Sequence, residues 1–77
     1  MMSIKEMVIK EFNKLAKSKK VKEDDNIKDL EIDSLDFAEL IINAEEKFEI
    51  QLPDSELANL VTVNDVILLI EKTKNTI

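Results

Sequence analysis

With 77 residues, no Cys and no His, this chain has neither disulfides nor the commonest metal ligand and general base, and a core of that size supplies only about 3–5 kcal/mol of net stability. Its formal charge of -6 is uneven: seven Lys against Glu6 and Glu11 give +5 over residues 1–22, whereas ten acids against Lys47 give -9 over residues 29–56. The acidic stretch argues against nucleic acid as a partner, because phosphate binding needs clustered positive charge; charges at helical spacing also interrupt every apolar run, so neither a signal peptide nor membrane insertion is expected and the protein is assigned to the cytoplasm.

In chain order, Ser3 with Glu6 spells a capping box, and Ile4, Val8, Phe12 and Leu15 fall on one face of a first helix expected to run to about Lys20. Lys17, Lys19 and Lys20 then suit the negative end of its dipole, and the Lys excess reads as a solvated face. Residues 21–33 read as a polar loop anchored by Val21, Ile27, Leu30 and Ile32. A second helix is predicted over 34–48, followed by a connector over 49–52 that Pro53 ends. Asp54, Ser55 and Glu56 open a short helical turn through about Leu60. Thr62 with Asp65 resembles another capping box, opening a last helix whose Val63, Val66, Ile67 and Ile70 keep i, i+3, i+4, i+7 spacing. These elements predict an all-α fold, a small irregular four-helix bundle of three main helices and one short one, in a single domain over residues 1–77.

Ser34 stands where a carboxylate-rich loop turns into the apolar second helix. At about 100° per residue, Phe37, Leu40, Ile41, Ala44 and Phe48 gather on the core side of that helix. Leu35, Ala38 and Ile42 form a second stripe, flanked by Glu39, Glu45 and Glu46. A central helix touches neighbours on two sides, so part of this stripe can be core; with Ser34 at its head, a docking surface is the better reading.

Catalytic readings fail one by one. A calcium loop begun at Asp29 would have Ser34 at its glycine position and Leu40 at its closing carboxylate, so no metal site is assigned. A Ser34 nucleophile has no His and no Ser-x-x-Lys partner. Asp33 and Asp36 in a first helical turn complement the dipole more readily than they do acid/base work. Without Gly there is no phosphate-cradling loop. The chain reads as a protein that is not an enzyme, with Ser34 its candidate for covalent attachment.

The run Asp29-Leu30-Glu31-Ile32-Asp33-Ser34-Leu35-Asp36, followed by Glu39-Leu40, Leu52-Pro53-Asp54 and Val61-Thr62-Val63, resembles the acyl carrier proteins of fatty acid synthesis over nearly the whole chain. The resemblance implies a 4'-phosphopantetheine arm on Ser34, within the motif formed with Asp33 and Leu35, whose terminal thiol carries acyl chains as thioesters in fatty acid or lipid biosynthesis. Such an arm suits a chain without Cys, the prosthetic group bringing the thiol while the protein binds and orients it. A phosphodiester at a helix start also meets free N–H groups and the positive dipole end.

The same resemblance implies partners: a phosphopantetheinyl transferase and acyl-processing enzymes with basic docking patches. They would read Asp36, Ala38, Glu39, Ile42, Glu45 and Glu46 on a monomeric carrier, steered by charge and quickly released. A carrier for another cargo, such as D-alanine or an aminoacyl group, and an unmodified helical interaction module are the alternatives. Three departures from the family pattern stand out. Glu31 replaces a customary Gly, so a loop needing positive φ must be built differently or carry strain. The first loop is shorter than usual, with Asn26 near a customary buried Phe, leaving Ile27 and Val21 as substitutes, and no Arg is present for bidentate anchoring.

Overall fold

The computed structural model describes residues 3–16 and 20–75. Helix α1 spans Ile4–Leu15, a single 3-10 turn spans Ile27–Leu30, α2 spans Ser34–Phe48, α3 spans Asp54–Leu57 and α4 spans Val63–Asn75. Among the described residues the nearest approach to a sheet is an isolated antiparallel bridge between Asn26 and Thr62. The all-α bundle of three long helices and one short one is therefore the fold.

Both predicted capping boxes form. The Ser3 hydroxyl accepts the Glu6 N–H at 3.1 Å while the Glu6 carboxylate accepts the Ser3 N–H at 2.9 Å. At the head of α4 the Thr62 hydroxyl accepts the Asp65 N–H at 3.1 Å, and Asp65 Oδ2 accepts the Thr62 N–H at 3.0 Å. Asp65 Oδ2 also takes the Val61 N–H at 3.0 Å. These backbone N–H groups, that of Thr62 first and then that of Val61, hold the Asp65 carboxyl below its ordinary pKa.

The core forms where apolar periodicity requires it. Val8 and Phe12 of α1 pack with Leu40, Ile41 and Ala44 of α2 and with Val63, Val66, Ile67, Leu69 and Ile70 of α4, all buried in one cluster. Ile4, Leu15, Phe37 and Phe48 lie half-buried against it. The Phe12 and Phe37 rings meet at 6.3 Å between centroids, tilted by 41°, an arrangement worth about 0.5–1.5 kcal/mol beyond burial.

Three boundaries differ from the sequence reading. Helix α1 stops at Leu15 rather than near Lys20: Ala16 is already extended (φ -79°, ψ 110°) with its side chain buried. Asn13 Oδ1 accepts the Val21 N–H at 2.8 Å, drawing Val21 back onto the last turn of the helix, and this tertiary bond is set where the helix ends. Lys17 and Lys19 lie outside the described residues, and Lys20 is exposed and not helical. Helix α3 likewise ends at Leu57 rather than Leu60. The third difference is the 3-10 turn inside the long loop, too short to leave a periodic trace.

Main-chain hydrogen bonds tie that loop to the start of α4. Ile27 donates to the Val61 carbonyl at 2.8 Å, Val63 donates to the Asp25 carbonyl at 3.0 Å, and Asn64 donates to the Glu23 carbonyl at 2.8 Å. Two N–H groups at the start of α4, which have no partner within the helix, are thus satisfied by the loop. Val21 and Leu30 are buried and Ile27 and Ile32 half-buried, so the four expected anchors fix the segment that leads to Ser34.

Candidate attachment and docking site

The approach to Ser34 is set by one backbone reversal. After the 3-10 turn, Glu31 adopts the left-handed conformation (φ 55°, ψ 43°) and donates its N–H to the Lys28 carbonyl at 3.3 Å. Of the two sequence alternatives for this corner, the strained one holds: a residue with a Cβ occupies a conformation that costs about 1–2 kcal/mol without glycine. Asp33 (φ -59°, ψ 146°) follows, non-helical, at the N-cap position of α2, and its carbonyl accepts the Phe37 N–H at 2.9 Å.

Ser34 is therefore the first residue of the helix and not its cap. Its side chain is exposed and makes no hydrogen bond among the described residues. Nor does the Asp33 side chain cap the helix. The N–H groups of Ser34, Leu35 and Asp36 precede the first intrahelical bond, so they are available to an anion at the Ser34 hydroxyl. This open helix start fits a phosphodiester: donors point outward, the dipole is positive there, and no side chain competes.

Beyond Ser34 the two faces of α2 separate cleanly. Leu40, Ile41 and Ala44 are buried, whereas Leu35 is 80% exposed and Ile42 51% exposed, with Ala38 exposed between them. Leu35, Ala38 and Ile42 thus form a solvent-facing apolar strip running from Ser34 along the helix. Glu39 and Glu46 are exposed and Asp36 is half-buried. None of these acids enters an ion pair among the described residues; the pairs Lys5–Glu23 and Lys14–Glu11 lie elsewhere. Their negative potential is left unneutralised beside the strip.

Glu45 behaves differently from its neighbours. It is half-buried, and its Oε2 accepts the N–H of buried Leu52 at 2.7 Å. Helical angle alone hinted at this, since Glu45 falls between buried Ile41 and the exposed strip; its partner, seven residues on across a turn, left no local signal. A groove of about 420 Å³ between α1 and α2, floored by Met7, Val8, Leu40, Ala44 and Phe48 and rimmed partly by Glu11 and Lys14, was also hidden from a linear reading. None of the strip residues lines it. No group of three or more carboxylates among the described residues is arranged to hold a metal ion, and no described helix is long and apolar enough to cross a membrane.

Comparison with known proteins agrees with this geometry. The family model described as a phosphopantetheine attachment site matches residues 3–70. An acyl carrier protein homologue of Mycoplasmopsis pulmonis is 42% identical over 71 residues, covering 92% of this chain and 96% of its own. An acyl carrier protein of Wolinella succinogenes is 43% identical over 72 residues, covering 92% of each chain. In fold, the crystal structure of an acyl carrier protein from Thermotoga maritima superposes with a TM-score of 0.73 at 24% identity, over 91% of this chain and 89% of that one. With a phosphopantetheine-attachment match over most of its length and relatives of this identity and coverage, the chain belongs to the acyl carrier protein family, whose members are carriers rather than enzymes.

Proposed function

We propose that Ser34 is the residue that bears 4'-phosphopantetheine, and that the chain ferries acyl groups between enzymes of fatty acid or lipid biosynthesis as a cytoplasmic monomer. The observation that carries this reading is the exposed, uncommitted Ser34 hydroxyl at an uncapped helix start, with a solvent-facing apolar strip running from it. In the attachment step the Ser34 oxygen forms a bond to the phosphorus bearing pantetheine in coenzyme A. Adenosine 3',5'-bisphosphate leaves, and the serine proton passes to a base of the transferase. The arm supplies the thiol for thioester formation that a chain without Cys lacks.

The protein's own residues then do three things. The N–H groups of Ser34, Leu35 and Asp36 offer hydrogen bonds and a positive dipole end to the phosphodiester. Leu35, Ala38 and Ile42 present apolar area to the transferase and to acyl-processing enzymes. Asp36, Glu39 and Glu46 steer basic patches of those partners onto the strip and keep the complexes salt-sensitive.

Incubation of the apo chain with a phosphopantetheinyl transferase and coenzyme A tests the assignment. Intact mass should rise by one phosphopantetheine for wild type and stay unchanged for Ser34→Ala. Labelling of Ser34→Ala, or failure of every competent transferase on wild type, overturns it.

A further inference from the structure

The acids of α2 divide into two kinds by what they touch. Glu39 and Glu46 reach solvent, whereas Glu45 gathers three backbone donors of the segment that follows the helix. Its carbonyl oxygen accepts the N–H groups of Glu49 and, at 3.0 Å, of Ile50, while its carboxylate accepts that of Leu52 at 2.7 Å. This segment reverses direction at Glu49, in the left-handed conformation (φ 56°, ψ 50°). Leu52 then enters the core, and Pro53 opens α3. A strained reversal with no glycine is held from both sides by one residue. The carboxylate bond is charge-assisted, and swinging it outward would leave a part-buried N–H without an acceptor.

We propose that Glu45 is a positioning residue of the docking site: its carboxylate acts inward, holding the connector and the start of α3 against α2, and partners read charge from Asp36, Glu39 and Glu46 instead. The proposal rests on the carrier reading above and deepens it. What recognition needs from residue 45 is a hydrogen-bond acceptor of the right length, not a negative charge.

The test uses the full chain as wild type, Glu45→Gln, Glu45→Ala and Glu46→Gln. Two readings are made: kcat/KM for arm attachment across a salt series, and amide hydrogen exchange at Leu52. Gln at position 45 keeps an acceptor oxygen and loses the charge. Glu45→Ala should expose the Leu52 amide to faster exchange and lower kcat/KM at every salt concentration without changing the salt slope. Glu45→Gln should restore both readings to within about twofold of wild type, whereas Glu46→Gln should lower kcat/KM about three- to tenfold at low salt and flatten the slope. If Glu45→Gln flattens the slope as Glu46→Gln does, or if Glu45→Ala leaves Leu52 exchange at the wild-type rate, the proposal is overturned. Absence of labelling in wild type would instead overturn the carrier reading and the recognition half with it; Leu52 exchange judges the inward clasp by itself.

Discussion

Replacing Glu31 by Gly should stabilise the protein, although it removes a side chain and adds none. Glu31 holds φ 55° and ψ 43° at the turn into α2, where a Cβ meets its own backbone at a cost of about 1–2 kcal/mol. Its side chain is exposed and makes no hydrogen bond or ion pair among the described residues that would offset this. Glycine relieves the clash but loses more freedom on folding, an opposing term of about 0.5–1 kcal/mol. The net gain is about 0.5–1 kcal/mol, which for a domain of this size raises Tm by about 2–8 °C. Because Glu31 also belongs to the acidic stretch, part of any gain could come from lost repulsion, and Glu31→Gln measures that part alone. Thermal and urea unfolding of wild type, Glu31→Gly, Glu31→Gln and Glu31→Ala separate the terms: Gly should exceed Gln, and Ala should show no comparable gain, since it keeps the Cβ. A Glu31→Gly protein no more stable than Glu31→Gln would refute the strain argument.

Other consequences follow from the charges. Reversal of Asp36, Glu39 and Glu46 to Lys should slow arm attachment chiefly through the association rate, by about tenfold or more at low salt, with wild-type rates falling as salt rises; stopped-flow binding across a salt series checks this. Asp65, held below its ordinary pKa by the N–H groups of Thr62 and Val61, contributes stability that is fully present above the unfolded carboxylate pKa of about 3.9 and lost as pH falls through its lower folded value. Asp65→Asn should flatten that acid limb in urea melts between neutral and low pH. Self-repulsion among ten acids against one Lys over residues 29–56 should make Tm rise with NaCl, and rise further with MgCl2 or CaCl2 at equal ionic strength, through loose oxygen ligation near Asp29, Glu31, Asp33 and Asp36 rather than a built metal site. A midpoint unmoved by all three salts would show that repulsion does not limit stability.

Local patterns carried most of the fold. The bounds of α2, both capping boxes and the buried face of α4 were legible, because capping chemistry and apolar periodicity act over three to seven residues and leave their pattern in the chain. What escaped depended on contacts distant in sequence. The end of α1 is fixed by Asn13 reaching Val21, and the loop over 21–33 by carbonyls that cap α4; neither bond has a linear signature. At the site, Ser34 and the Leu35, Ala38, Ile42 strip came from motif and helical angle. That Asp33, not Ser34, holds the N-cap position of α2 without capping it by its side chain, and that Glu45 turns inward to Leu52, depends on the folded backbone. The missing glycine at position 31 foretold a choice between rebuilding and strain, and backbone geometry alone decided it.

The central claim is that Ser34 bears the arm, and the mass of one peptide tests it most directly. Trypsin cleavage after Lys28 and Lys47 releases residues 29–47, in which Ser34 is the one hydroxyl-bearing side chain. Protein purified from its native host should yield this peptide heavier by one phosphopantetheine, with a fraction also bearing the acyl cargo in thioester linkage. The account is contradicted if the peptide appears only at its unmodified mass while the arm is found on another peptide or on none.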